Sequence, residues 1–142
     1  MSLTPQQQER LVQLTRWAKS FSSFCREALG YREMIDLHDD LCTFLTNDRQ
    51  PFKLVLMPRY SFKSSIATVA YTLWKLTRND SLRILIYSHS NAKAEGFLTE
   101  IKNHIHGMKE HSQFRECYGA WESDPKRGVW NQAAITVAVR QH

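Results

Sequence analysis

Two short apolar runs constrain this chain more than any other feature: residues 52–57, Phe-Lys-Leu-Val-Leu-Met, and residues 82–87, Leu-Arg-Ile-Leu-Ile-Tyr. Each is too short for a core helix and nearly continuous in apolar character, the pattern of a strand buried on both faces of a parallel sheet. Each is followed by a helical pattern. Ile66, Val69, Ala70, Leu73 and Leu76 recur over residues 64–78 before Asn79-Asp80, and Ala94, Phe97, Leu98, Ile101 and Ile105 recur before Gly107. A third run over residues 133–139 completes strand, helix, strand, helix, strand. This order predicts an α/β fold, because parallel neighbours are joined by a helical crossover.

The first fifty residues have a different texture. Thr4, Pro5 and Gln7 have the form of a capped helix start: a hydroxyl, proline at the first helical position and glutamine three residues after the cap. Leu11, Leu14, Ala18, Phe21, Cys25 and Ala28 then predict one stripe ending at Gly30. A second helix is expected through Leu37, Leu41, Phe44 and Leu45, capped by Asp36 and stopped by Asn47-Asp48. The predicted organisation is a helical lead-in over residues 1–50 and an α/β unit over residues 51–142.

Composition narrows the function classes. With 142 residues the expectation is a single domain. The 19 Lys+Arg against 14 Asp+Glu give a net charge of +5, which permits a polyanionic partner, although the basic residues are scattered. No apolar run approaches the ~18 residues that cross a bilayer, and the N-terminus lacks the layout of a signal peptide, so a soluble protein outside the export route is expected. Cys25, Cys42 and Cys117 form no CxxC pair and are expected as reduced thiols. Cys25 and Cys42, on apolar helix faces, are expected to pack as small hydrophobes.

The chemistry concentrates where the first apolar run turns into a helix. Residues 54–65 read LVLMPRYSFKSS, placing Lys63 and Ser64 at a strand-to-helix junction. A helix N-terminus offers unpaired N–H groups and partial positive charge; a lysine there reaches β- and γ-phosphates, and the next hydroxyl can ligate Mg²⁺. The pattern GxxxxGK[ST] is not met, because Met57 and Phe62 occupy both glycine positions. A loop without glycine must bend by another conformation.

Residues 37–105, and above all 53–101, resemble the ATPase domain of tailed-phage terminase large subunits, motors that move double-stranded DNA into procapsids. That family tolerates deviant Walker A loops with an arginine four residues before the lysine, a pattern that Arg59, Lys63 and Ser64 match. The resemblance implies an incomplete P-loop NTPase with a three-layer sheet, binding ATP and Mg²⁺. Pro58, Arg59, Tyr60, Ser61, Phe62, Lys63, Ser64 and Ser65 would form the loop, with Ser64 on the metal and Arg59 contacting the γ-phosphate as a catalytic arginine. Tyr60, Ser61 and Phe62 would contribute mainly backbone N–H groups, while the bulk of Phe62 would restrict the loop. His38 would lie near the adenine, the alternative being a packed or exposed helix histidine. Double-stranded DNA, a portal protein and a small terminase subunit would be the partners, with further copies of the chain on the portal, in the host cytoplasm.

Hydrolysis in such a domain needs a later strand ending in acidic residues, and none follows Lys63. The chain thus resembles the first half of an ATPase domain, lacking the family's nuclease domain, and is expected to bind nucleotide without completing hydrolysis. Another helicase-like P-loop ATPase, or a non-catalytic basic DNA-binding module, remains as an alternative. Ser88-His89-Ser90-Asn91 is either a DNA-facing loop or a helix cap. His104, His106 and His111 lack a recognised metal-ligand spacing and are expected at a solvated helix end. Trp17, Trp74, Trp121 and Trp130 are expected in the core or an interface. Phe114, Tyr118 and Trp121 are candidates for base stacking without an ordered platform.

Overall fold

A computed structural model describes residues 2–124, 126 and 128–137. The helical lead-in begins as its sequence dictates. The Thr4 hydroxyl accepts from the Gln7 N–H (3.3 Å), the Gln7 side chain accepts from the Thr4 N–H (2.9 Å), and Pro5 opens α1 (Pro5–Lys19). The expected continuous stripe breaks at Ser20. This residue leaves helical conformation (φ −127°, ψ 106°), and its hydroxyl accepts from the Ser23 N–H, starting the short α2 (Phe21–Ser23). A π-helical turn (Phe24–Ala28) continues it to Gly30, whose φ of +73° is left-handed as expected. Burial accordingly starts at Trp17; Leu11 and Ala18 stay exposed.

The second expected helix is present as α3 (Asp36–Leu45), with a different buried face. Leu41, Cys42 and Leu45 are buried together with His38, whereas Leu37 and Phe44 lie on the exposed side. Ile35, not Asp36, occupies the cap position. Arg26 ties this helix to the preceding turn, donating to Met34 O and pairing with Asp39, both at 2.7 Å.

Residues 64–78 are helical, as a π-helical stretch (Ser65–Ala70) running into α4 (Tyr71–Arg78). Their expected apolar face is buried: Ile66, Val69, Ala70, Leu73 and Leu76. α5 (Asn91–His106) ends at left-handed Gly107 and buries Ile101 and Ile105; the short α6 (Phe114–Tyr118) follows. These helices and the lead-in share one core, where the Trp74 indole donates to Trp17 O at 3.0 Å.

The expected three-layer sheet is not there. The chain is 52% helical, and among the described residues no strand or sheet is formed. Residues 53–58 and 82–88 lack helical structure, yet neither pairs; Val55, Met57 and Ile86 pack partly against the core, while Leu56 is 83% exposed and Leu85 88%. Strands buried on both faces do not leave leucines so open to water. The third run is also not a strand. Glu122 opposite Val137 and Trp130 opposite Ile135 make isolated antiparallel bridges around a turn in which Asn131 Oδ1 accepts from the Ala133 and Ala134 N–H groups. The end of that expected strand, Ala138 and Val139, lies outside the described residues.

The physical reason is the difference between local and tertiary specification. A helix satisfies its own backbone within four or five residues. An apolar extended run becomes a strand only where another backbone lies alongside at ~4.8 Å to take its N–H and C=O groups.

Candidate phosphate-binding site

The loop from Pro58 to Phe62 is wrapped around the Lys63 side chain. Lys63 Nζ reaches back across the turn and donates to Met57 O and Pro58 O, each at 3.0 Å. The Ser61 hydroxyl donates to Pro58 O at 2.7 Å, and the Ile66 N–H to Phe62 O at 3.3 Å, which closes the turn onto the helix. The ammonium therefore sits at the mouth of the loop, beside the first turn of the helix.

The conformation that replaces glycine is visible in two dihedrals. Tyr60 and Phe62 both have φ of +61°, the left-handed region that a side chain normally avoids. For non-glycine residues this costs on the order of 1–2 kcal/mol each and persists only where surroundings hold it. For Phe62 those surroundings are aromatic. Its ring meets Tyr31 edge-on at 4.8 Å and His38 at 6.1 Å. The bulk expected to restrict the loop instead anchors it. Tyr60 has no such cage and is fully exposed.

Two polar contacts fasten the same loop from the lead-in side. His38 Nε2 lies 2.9 Å from Ser61 O, and Tyr31 Oη donates to Ser65 O at 3.5 Å. Tyr31 also lies 3.4 Å from His104 Nε2, and His104 Nδ1 is 3.0 Å from Ser112 Oγ, which donates to Ala28 O. Burial, with Lys109 nearby, lowers His104 to about 4, so it is neutral near pH 7; burial raises the Tyr31 hydroxyl.

The groups left for a ligand are Arg59, Lys63, Ser64 and the loop backbone. Arg59 is exposed, with no side-chain partner among the described residues, and the Ser64 hydroxyl makes no capping bond. An ammonium and a free hydroxyl at the start of a helix fit a phosphate chain carrying Mg²⁺. Such an ion takes only one or two protein oxygens and completes its shell with phosphate and water. Among the described residues no group of three or more His, Cys, Asp or Glu side chains forms a self-sufficient metal site.

The other candidates divide between core, cap and surface. His38 is buried, with both ring nitrogens engaged. The three downstream histidines part company: His104 is in the core, His106 pairs with Glu122 at 2.9 Å, and His111 is on the surface beside Glu110. The solvated helix end expected for all three does not hold for His104. Phe114 packs on Tyr118 at 4.8 Å and on Trp121 at 5.0 Å, and Phe114 and Trp121 are buried in the core. Ser90 caps α5 by accepting from the Lys93 N–H at 3.3 Å, while His89 is exposed. Sequence reasoning missed Tyr31; its position, one residue after a left-handed glycine, carries no signal of the contact it makes.

Comparison of the chain with protein-family models, with curated proteins and with solved structures finds no match.

Proposed function

We propose that the loop from Pro58 to Ser65 binds the phosphates of Mg-ATP, and that the chain is the ATP-binding part of a DNA-packaging motor of the terminase large-subunit kind. The observation that carries the reading is Lys63 Nζ bonded across the loop to Met57 O and Pro58 O. It holds the ammonium at the mouth of the loop, so phosphate oxygens would replace carbonyl oxygens as its partners. The reading rests on the loop, its residues and the resemblance of the surrounding segment, and does not call on a sheet.

In this reading Lys63 and the loop N–H groups bind the β- and γ-phosphates, and Ser64 Oγ ligates Mg²⁺, which would supply charge neutralisation between phosphates. Arg59, unpaired and exposed, reaches the γ-phosphate and stabilises charge as it develops. Among the described residues no carboxylate hydrogen-bonds or ion-pairs with a side chain of residues 58–65, so the loop supplies binding and orientation without a base for water. Double-stranded DNA, portal protein, small subunit and further copies of the chain belong to the same proposal, for which the net charge of +5 is favourable.

Calorimetric titration of Mg-ATP into the folded chain tests it. Lys63→Ala is expected to abolish measurable binding, and Arg59→Ala to leave affinity within about threefold, because a group that acts mainly on the transition state adds little to ground-state binding. Equal affinity for wild type and Lys63→Ala contradicts the assignment.

A further inference from the structure

The buried imidazole of His38 sits between two backbone groups of opposite kind. Its Nδ1 lies 2.9 Å from Ile35 N and its Nε2 2.9 Å from Ser61 O. An N–H can only donate and a carbonyl can only accept, so Nδ1 is the acceptor and Nε2 carries the proton. One ring thereby fastens the start of α3 to the middle of the 58–62 turn, between the two left-handed residues. The Phe62 ring stands nearly perpendicular to it, 6.1 Å away between centroids.

We infer that His38 is the positioning residue of the phosphate loop: a strut in the Nε2–H form that holds Ser61 and Phe62 in the shape that presents the loop amides and Lys63. It does not touch nucleotide, because both nitrogens are already used. The inference rests on the phosphate-binding reading for its functional consequence. The strut itself rests on the two hydrogen bonds and the ring contact. Holding the turn before ligand arrives spares the ligand the ordering cost, which appears as affinity.

Two substitutions separate the halves of the strut. In His38→Asn the amide oxygen stands where Nδ1 stood and keeps the Ile35 bond, but the side chain is too short for Ser61. In His38→Gln the amide nitrogen stands near the Nε2 position and keeps the Ser61 bond. Calorimetry with Mg-ATP is run on both variants, on wild type and on Lys63→Ala, with thermal midpoints recorded beside it. The expected result is an affinity loss of about tenfold or more in His38→Asn and recovery to within about threefold of wild type in His38→Gln, one hydrogen bond's worth of preorganisation. Wild-type affinity in His38→Asn overturns the inference, as does equal weakening of both variants in step with their midpoints. The imidazole ¹⁵N spectrum reads the strut without nucleotide: a protonated Nε2 and bare Nδ1 are expected, and a protonated Nδ1 overturns it. Should wild type bind no Mg-ATP, the phosphate reading falls, and the spectrum alone decides the strut.

Discussion

At the scale of single residues, His104 shows how burial sets a charge state and through it a pH dependence. Nothing of its side chain is exposed, and Ser112 and Tyr31 stand at its two ring nitrogens. Burial lowers it from 6.5 to about 4. As pH falls from about 6.5, the unfolded chain takes up this proton and the folded one does not. Stability is therefore complete above the ordinary histidine range and is lost down to about pH 4, by up to roughly 3 kcal/mol. Urea unfolding between pH 7 and pH 4 should show this loss in wild type, and most of it should vanish in His104→Gln, whose amide does not titrate. Identical slopes in the two proteins would place the acid sensitivity elsewhere. Residue-scale chemistry was legible only where it is local. Lys63 and Ser64 declare themselves by their order before a helix. The left-handed φ of Phe62 does not, because the rule that identifies such positions looks for glycine, and here Tyr31 and His38 hold the dihedral.

At the scale of elements, the same division runs between self-contained and dependent structure. The Thr4 capping box, the buried face from Ile66 to Leu76 and the α5 face with its Gly107 stop follow from residues within a turn or two of one another. The break at Ser20 was hidden by a spacing of three and four that runs straight through it; a serine that caps the next turn outweighs that periodicity. The rotation of α3 that buries His38 depends on what the helix packs against. The strands expected at 52–57 and 82–87 are not formed, since pairing is a property of the neighbours and neither run has a paired neighbour among the described residues. Here a mutational test discriminates well. With Leu56 and Leu85 exposed as they are, Leu56→Lys and Leu85→Lys should each change stability by less than about 0.5 kcal/mol while raising solubility. Were these leucines in a buried sheet, each substitution would cost several kcal/mol in chemical denaturation.

At the scale of the whole molecule, the candidate site draws on both halves of the sequence. Residues 1–50 supply Tyr31 and His38, residues 51–65 supply the loop, and α5 supplies His104 behind Tyr31, all within one core. The sequence division at residue 50 thus separates textures, not parts of the site. Against that core, sharing Ile101 and Val137 with it, lies a cavity of about 910 Å³ bordered by residues 80–88, α5 and residues 132–137. Among the described residues no helix is long and apolar enough to cross a membrane. The loop and this cavity make the location of nucleotide a question with separable answers. Backbone amide shifts of the ¹⁵N-labelled chain, recorded while Mg-ATP is added, address the central claim most directly. The account expects saturable shifts concentrated at residues 59–66, absent in Lys63→Ala. Shifts confined to residues 80–88 and 132–137, or no saturable shift at all, would contradict it.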